Sequence, residues 1–399
     1  MSTALLDTTI DHHRDDAHGP PIANRPSAVL LDEIESNAAT SDRNGTLVRS
    51  YDRMVADGLF HLLVPTDLGG ASATVTEWFD TAVDVATADP SAGWLLAQGA
   101  AQTAWIAVAG SDDLVGEFFT TRHTLASTAA GDVTAEHRGD HYRLTNARWA
   151  YASGSSGATY LGGAVRTIAP DGAPETRMML VPAEQATIRP TWDTLGLRGT
   201  ASNHIDFGDT VDIPLERTFT WPRLTVRRAG PLACAISHTG WMITLSAAAV
   251  NIGAARRSIR AALDSAVTKK HRFDTIPLLQ QSTFVRGIAE LESRLELATS
   301  GLRALLDHLW DRALAGHGPD LETRARLRLA ATASIDLTAD IVQQSQALVG
   351  ADALHRSHVL ERLGRDSQML RHHVAASPST REQLARILLD SYDGPTSFI

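Results

Sequence analysis

The feature that most constrains the fold is a row of apolar residues in the last third of the chain, spaced alternately four and three residues apart. The row comprises Phe284, Ile288, Leu291, Leu295, Ala298, Leu302, Leu305 and Leu309. This spacing is typical of a long helix that packs against other helices along its whole length. Helical periodicity also covers 238–265, 321–348 and 353–376, so the sequence predicts a four-helix bundle.

The preceding part of the chain divides into a helical region and a β-rich region. From residue 28 to about 122 the apolar residues follow a helical pattern, and Pro90 suits the first turn of a helix. Between about 123 and 225, short alternating runs end at Gly, Pro or Asp, which predicts a small antiparallel sheet domain or barrel. The predicted class is therefore mainly α with a central β domain. The predicted domains are a mobile leader (1–27), an N-terminal helical domain (28–122), a β-barrel domain (123–225) and a C-terminal helical bundle (226–399).

Composition argues against several classes of protein. A formal net charge of −10 over 399 residues argues against a general binder of nucleic-acid backbones. The single cysteine, Cys234, excludes an intrachain disulfide and a cysteine-based zinc site; no metal site is predicted, and a reducing, cytoplasmic setting is the default. The stretch 231–255 has no Asp, Glu, Lys or Arg, but its Ser, Thr, His and Asn residues favour a buried bundle helix over a membrane span.

Four short motifs carry a resemblance that extends from about residue 28 along nearly the whole chain. They are Pro65-x-x-x-Gly69-Gly70, the strand from Trp149 to Gly154, the run Leu195-Gly196-Leu197-Arg198-Gly199-Thr200-Ala201-Ser202, and Arg362-x-x-Arg365-Asp366. In this order, on a helix–sheet–bundle plan, they resemble the acyl-CoA dehydrogenase superfamily. The resemblance implies a flavin held between the sheet domain and the C-terminal bundle, commonly in a homotetramer.

The superfamily performs two kinds of chemistry. A dehydrogenase needs a carboxylate base to remove the proton alpha to a thioester carbonyl. In the family this Glu lies eight residues after the Asp of the Arg-Asp pair or on the first bundle helix, where this chain has Val374 and the region of Ile243. Neither side chain can accept a proton.

The other branch comprises two-component flavin monooxygenases, such as the oxygenase of 4-hydroxyphenylacetate hydroxylase, dibenzothiophene monooxygenase and the nitrososynthases. Its signature resembles the strand from Trp149 to Gly154 followed by a His seven residues beyond the Arg-Asp pair, here His373. The resemblance therefore favours the oxygenase component of a flavin-dependent monooxygenase. An FAD-dependent acyl-CoA dehydrogenase or oxidase is the alternative, and a non-catalytic scaffold is a third.

Two residues are candidates for the chemistry. Reduced flavin and O2 give a C4a-hydroperoxide, which an oxygenase must keep from bulk water while it holds the proton on flavin N5. Ser153 is placed to accept a hydrogen bond from N5–H, or else only shapes the turn before Gly154. His373 is a candidate acid or base acting on a small aromatic or heteroatom-containing substrate, or else forms a surface pair with His372.

Further residues are candidates for binding. Trp192 would cover a flavin face as its counterpart does in relatives, Ser127 and Thr128 would bond the pyrimidine ring, and Lys270 and Arg272 would bind phosphate. Weaker candidates for the substrate pocket are Trp94, Arg198, Thr200, His238 and His372. Each of these has an ordinary structural alternative as a core, turn or surface residue.

The nucleotide region favours FMN over FAD as the reduced flavin. The FAD-type run Gln-x-x-Gly-Gly-x-Gly is reduced here to Gln346-Ala347-Leu348-Val349-Gly350-Ala351-Asp352. The lost glycines suggest that the backbone no longer approaches an adenine nucleotide closely. No Gly-x-Gly-x-x-Gly follows a strand, so a separate NAD(P)H:flavin reductase is expected to supply reduced flavin. Nucleic acid and membranes are not expected partners.

Overall fold

The computed structural model describes residues 25–47, 49–131, 133–169, 172–270, 274–396 and 398–399. Within these ranges the order is five helices, ten strands and six helices, which confirms the predicted class. The helices are α1 (Ala28–Asn44), α2 (Ser50–Ala56), α3 (Val75–Ala88), α4 (Pro90–Ala109), α5 (Asp112–Thr120), α6 (Pro231–Ile236), α7 (Gly240–Ala266), α8 (Ser282–Leu314), α9 (Leu321–Val349), α10 (Val359–Arg371) and α11 (Pro378–Leu388). The strands are β1 (Leu125–Thr128), β2 (Glu136–His137), β3 (His141–Thr145), β4 (Arg148–Ala152), β5 (Tyr160–Ile168), β6 (Pro174–Pro182), β7 (Thr187–Arg189), β8 (Asn203–Asp206), β9 (Thr210–Pro214) and β10 (Thr218–Thr220).

Helix α4 is the central element of the N-terminal region. Asp89 caps it, because Asp89 Oδ1 accepts from the backbone N–H of Ser91 at 3.0 Å, and Pro90 occupies its first turn as predicted. All twenty residues of α4 are buried, since the helix packs against α3, α7 and β1. Its side chains therefore face either the helical core or the sheet region.

The strands form three small sheets, with the orders β1-β5-β6-β10, β2-β3-β9 and β4-β8-β7. The expectation of antiparallel pairing is wrong for one pair, because β1 and β5 run parallel with Ser127 opposite Gly162. Some thirty residues containing three strands separate the two, and a connection of that length permits parallel pairing. The sheets enclose their own apolar cluster, which includes Tyr142, Trp149, Leu161, Met179 and Ile205.

The C-terminal bundle follows the predicted periodicity closely. On α8 the buried residues are Phe284, Leu291, Leu295, Ala298, Leu302, Leu306, Leu309 and Ala313. Two residues of the predicted row, Ile288 and Leu305, are only partly buried, although both pack against the core. Beside Leu305, the fully buried residue is Leu306, because the true helical period of 3.6 has by then drifted from the 3.5 spacing. In the described part of the chain, no helix is both long and apolar enough to cross a membrane.

The last predicted bundle helix is shorter than the sequence pattern indicates. Residues 353–376 contain α10 over Val359–Arg371, flanked by short 3-10 turns. His358 caps its start, because His358 Nδ1 accepts from Leu360 N–H at 3.1 Å, and His373 caps the 3-10 turn after it, because His373 Nδ1 accepts from Ala375 N–H at 3.2 Å. His372 and His373 therefore lie after the helix and not on it.

Candidate active site

Strand β4 contains an irregularity that places two side chains, two residues apart, in different surroundings. Its pairing with β8 shifts register between Trp149 and Ala152, and Tyr151 adopts a positive φ of 61°. Trp149 is buried against β5, where a Cβ on Gly163 would lie 2.2 Å from the indole, so only glycine fits there. Tyr151, in contrast, is 57% exposed. Such bulges commonly redirect side chains beside active sites.

Ser153, directly after β4, belongs to a chain of hydroxyl groups. Trp94 Nε1 donates to Ser153 Oγ at 2.9 Å, and Ser153 Oγ lies 2.7 Å from Ser202 Oγ. Ser202 Oγ lies 2.8 Å from Thr200 Oγ1, which donates to the carbonyl oxygen of Leu197 at 2.8 Å. The structure thus brings together three of the predicted residues, Ser153, Thr200 and Trp94.

The direction of this chain follows from counting protons, because each hydroxyl has one hydrogen to donate. Thr200 uses its hydrogen on the Leu197 carbonyl, so Ser202 must donate to Thr200, and Ser153 must donate to Ser202. Ser153 also accepts from Trp94, which leaves one lone pair on its oxygen. Ser153 can therefore accept one more hydrogen bond and has no hydrogen left to donate.

The loop 195–202 is fixed by α10, so two of the sequence motifs meet in space. Leu197 N–H donates to Asp366 Oδ1 at 2.6 Å. A Cβ on Gly196 would lie 2.4 Å from the backbone of Arg365, so a glycine is required for the loop to approach the helix this closely. Leu197 and Ala201 both have positive φ, which makes the loop turn sharply enough to present Thr200 and Ser202 to Ser153.

Two buried carboxylates lie behind this loop. Burial raises the pKa of Asp366 to about 7 and that of Asp89 to about 6, and the positive charge of Arg362 opposes both shifts. Each carboxylate holds a backbone N–H, that of Leu197 for Asp366 and that of Ser91 for Asp89. These acids therefore serve to position backbone, and their hydrogen bonds are not to the hydroxyl chain.

His373 reaches the same site from the C-terminal side. Its ring lies edge-to-face on Trp94, with centroids 5.3 Å apart, whereas His372 is exposed. Burial lowers the pKa of His373 to about 4, so the ring is neutral at pH 7. Because Nδ1 accepts from Ala375 N–H, the single proton of the neutral ring is on Nε2. His373 is therefore a hydrogen-bond donor through Nε2.

Trp192 and Tyr151 form an aromatic pair beside the hydroxyl chain. Trp192 Nε1 donates to the Leu197 carbonyl at 2.9 Å, and its ring lies edge-to-face to that of Tyr151 with centroids 6.2 Å apart. Trp192 is half-buried, so part of the pair faces open space. Aromatic faces of this kind suit contact with a planar ring system.

Ser127 and Thr128 lie on β1, one on each side of the strand. Ser127 N–H donates to Gln102 Oε1 of α4 at 3.1 Å, and the Ser127 side chain is half-buried. Thr128 is buried, and its Oγ1 accepts from Ala130 N–H at 2.9 Å. The Thr128 hydroxyl therefore already helps to shape its own turn.

Other predicted residues lie away from the hydroxyl chain. Arg198 holds loops together, donating to Asp193 at 2.8 Å and to two backbone carbonyls. His238 contacts Ser237 at the start of α7, and burial, with nearby Arg324, lowers its pKa to about 4. Lys270 is exposed, and Arg272 lies outside the described residues.

At the two positions where a dehydrogenase would carry its base, this chain has aliphatic side chains. Val374 is 68% exposed and follows His373 directly. Ile243 packs, partly buried, against the helical core on α7. The residue beside Val374 that contacts Trp94 is His373, so the neutral imidazole occupies this side of the site.

Sequence reasoning missed Ser202, Tyr151 and Gln98 as site residues. Ser202 and Tyr151 lie inside motifs that the resemblance had singled out, so the motifs themselves carried the signal. Gln98 carries a signal in its spacing, because it lies four residues from both Trp94 and Gln102 on the fully buried α4. Its Nε2 is buried with no partner among the described residues.

Comparisons with known proteins show what the chain is similar to. Residues 245–378 match the family described as acyl-CoA dehydrogenase, C-terminal domain. The chain is 26% identical to indole-3-acetate monooxygenase of Pseudomonas putida over 365 residues, which cover 87% of this chain and 88% of that protein. It is also 26% identical to the flavin-dependent monooxygenase oxygenase subunit HsaA of Mycobacterium tuberculosis, over 88% of this chain and 90% of that one.

The solved structures include that of XiaF from Streptomyces in complex with FADH2 and glycerol. It superposes with a TM-score of 0.82 at 21% identity, over 91% of this chain and 95% of that one, which shows a shared fold. Together the comparisons confirm the resemblance to the acyl-CoA dehydrogenase superfamily and, within it, to the flavin-dependent monooxygenases. They also confirm the prediction of an enzyme that uses reduced flavin.

Proposed function

We propose that the chain binds reduced flavin with its N5–H directed at Ser153 Oγ and oxygenates a small aromatic or heteroatom-containing substrate beside Trp94 and His373. The observation that carries this proposal is the direction of the hydroxyl chain. Reduced flavin presents an N–H donor at N5, whereas oxidised flavin presents an acceptor there. Ser153 has a free lone pair and no free hydrogen, so it is matched to the reduced form.

The surrounding residues suit the same ligand. When bound, reduced flavin supplies the two electrons that activate O2 for transfer of one oxygen atom to the substrate. The fully buried α4 and the apolar core behind it keep bulk water from one side of the site, which such chemistry requires. Tyr151 and Trp192 offer aromatic contact on the other side.

His373 would donate through Nε2–H to an oxygen of the substrate or to the oxygen that leaves as water. Because burial lowers the pKa of His373 to about 4, the ring is neutral at pH 7 and acts there as a hydrogen-bond donor and not as an acid. Trp94, which contacts both His373 and Ser153, holds the two groups in a fixed relation. Ser127 would add a hydroxyl contact to the pyrimidine ring.

The phosphate end and the partners complete the proposal. Lys270 and Arg272 would bind flavin phosphate, and FMN is favoured over FAD because Gly350 alone remains of the three glycines in its run. Reduced flavin would come from a separate NAD(P)H:flavin reductase, as the name of the HsaA oxygenase subunit implies for that protein. We further propose a homotetramer in a reducing, cytoplasmic setting.

The test compares the affinities of reduced and oxidised FMN under nitrogen. The unchanged protein should bind reduced FMN more tightly than oxidised FMN. Ser202→Ala frees the Ser153 hydrogen to donate to oxidised N5, so the ratio of the two affinities should fall by up to about tenfold, the worth of one hydrogen bond. Ser237→Ala, which removes a hydroxyl outside the chain, is the control and should leave the ratio unchanged.

Oxygen is then admitted to the complex with reduced FMN, with indole-3-acetate as the first substrate offered. The oxidised-flavin spectrum should return more slowly than for free FMN, and product should form with little hydrogen peroxide. Return at the rate of free flavin, or equal affinity for both redox forms in the unchanged protein, would overturn the proposal. Bleaching of tightly bound oxidised FAD by an acyl-CoA would instead support a dehydrogenase.

A further inference from the structure

Gln98 combines deep burial with an unused hydrogen-bond donor. The residue is 9% exposed, and its Nε2 has no hydrogen-bond partner among the described residues. A buried amide without a partner lowers stability, so most such groups in proteins are paired. The unpaired donor therefore needs a reason, and a bound ligand would supply one.

The position of Gln98 along α4 indicates which ligand. Side chains four residues apart lie above one another on the same helix face. One turn before Gln98, Trp94 bonds Ser153 and packs on His373. One turn after it, Gln102 Oε1 accepts from the backbone N–H of Ser127. Gln98 thus lies on the face of α4 directed at the sheets, between the contacts to β1 and those to the end of β4.

Gln98 differs from the buried indoles that also have an unpaired donor. Trp105 and Trp221, for example, lack a partner at Nε1, but these rings pack on each other with centroids 6.4 Å apart. A large apolar ring gains from burial whether or not its single N–H is bonded. A glutamine side chain gains little free energy from burial alone, so its unpaired amide is better evidence that a ligand binds there.

We propose that Gln98 Nε2 donates a hydrogen bond to an oxygen atom of the organic substrate, so that this residue selects aromatic substrates that carry a phenolic or carbonyl oxygen. The inference rests on the proposed function, since it takes the space beside Ser153 and His373 as the substrate site. A carbonyl oxygen of the flavin is an acceptor of the same kind. The experiments below distinguish the two sources.

The first experiment compares two identical substitutions one turn apart, Gln98→Leu and Gln102→Leu, in the ligand-free protein. Leucine at 98 removes an unpaired donor from a buried place, so the melting temperature should stay the same or rise. Leucine at 102 leaves Ser127 N–H unpaired, so the melting temperature should fall. A fall for Gln98→Leu equal to that for Gln102→Leu would show a structural role and overturn the inference.

The second experiment uses phenol and toluene, which have nearly the same shape and differ in the oxygen. Their dissociation constants are measured by calorimetry, in the flavin-free protein and again with reduced FMN under nitrogen. The unchanged protein should prefer phenol, and Gln98→Leu should reduce that preference about tenfold by weakening phenol alone. The inference fails if the unchanged protein shows no preference, or if the variant keeps it.

A third measurement separates the substrate from the flavin. The affinity of Gln98→Leu for reduced FMN should equal that of the unchanged protein. If this affinity falls while the phenol preference persists, Gln98 bonds the flavin, and the inference is wrong although the proposed function stands. If the phenol preference behaves as expected but reduced FMN does not bind, the proposed function fails while the role of Gln98 in binding an oxygen-bearing aromatic stands.

Discussion

The interior of the helical bundle and the boundary between the helices and the sheets are filled in different ways. Inside the bundle, Leu306, Ile335 and Ile341 are fully buried among apolar neighbours. At the boundary, Ser153, with its remaining lone pair, and the amide of Gln98 keep hydrogen-bonding capacity that the protein itself does not use. Helix α4 contributes to both regions, since all of its residues are buried.

This difference indicates where stability and chemistry are located. A packed apolar interior stabilises the fold and is indifferent to ligands. Unused donors and acceptors at the boundary lower the stability of the free protein. A ligand that forms hydrogen bonds with them offsets this loss. Substitutions in the two regions should therefore separate into those that change stability and those that change binding or turnover.

The largest expected effect comes from His373→Ala. Removing the Nε2–H donor should lower the yield of oxygenated product per flavin oxidised by about 100-fold or more, the usual effect of losing a positioned hydrogen bond to the transition state. The affinity for reduced flavin should change little, because Ser153 and the aromatic pair remain. Product and hydrogen peroxide are measured together in single-turnover reactions.

The adjacent residue provides the control for this experiment. His372 is exposed, so His372→Ala should leave product yield and flavin affinity unchanged. A His373→Ala protein that no longer binds reduced flavin would contradict the role assigned to the histidine. Equal effects of the two substitutions would show that the contact of His373 with Trp94 does not give it a role that the exposed His372 lacks.

The next effect belongs to the bundle interior. Leu306→Ala removes a fully buried side chain and should lower the free energy of unfolding by about 2–5 kcal/mol. Leu305→Ala, its partly buried neighbour, should cost clearly less. Urea denaturation measures both, and the ratio of reduced to oxidised flavin affinity should be the same in both variants. An equal loss of unfolding free energy in the two variants would mean that Leu305 is buried as deeply as Leu306, against the register of α8 in the structure.

A third prediction concerns the joint between the two regions. A methyl group at Gly196 would collide with the backbone of Arg365, so Gly196→Ala should lower the free energy of unfolding by about 1–3 kcal/mol. Because the loop carries Thr200 and Ser202, the preference for reduced flavin should fall as well. Gly301→Ala, on α8 with open space around it, should instead raise stability by about 0.5–1 kcal/mol. If Gly196→Ala behaves like Gly301→Ala, the loop is not held against α10.

Periodicity predicted the bundle well because helical spacing is a local property of the chain. The same reasoning placed the register of α8 correctly from Phe284 to Leu302 and then chose Leu305 over Leu306, since small departures from 3.5 accumulate along a helix. The parallel pairing of β1 with β5 was not predictable in this way. It depends on how three intervening strands fold back, which no short-range pattern records.

The site was predictable in part, through its motifs. Ser153, Thr200 and His373 lie close to Trp94 or to one another, but the sequence could not show that the loop 195–202 rests on Asp366, nearly 170 residues later. The direction of the hydroxyl chain was also hidden. It follows from the bond that Thr200 Oγ1 donates to the Leu197 carbonyl, in a loop where Leu197 and Ala201 both adopt positive φ.

The last prediction is a difference in sign between two pH dependences. Burial lowers the pKa of His373 from 6.5 to about 4, so the unfolded chain binds the proton more readily, and this residue makes stability fall as pH falls from 6.5 towards 4. Burial raises the pKa of Asp366 from 3.8 to about 7, so the folded chain binds the proton more readily, and this residue makes stability fall as pH rises from 4 to 7. His373→Gln should therefore gain stability relative to the unchanged protein at low pH, and Asp366→Asn should gain it at high pH, each by up to about 1.4 kcal/mol per pH unit. Urea denaturation between pH 4.5 and 7.5 measures both. Because asparagine keeps an oxygen for Leu197 N–H, a variant that loses stability at all pH values would show that the charged carboxylate is what holds the loop.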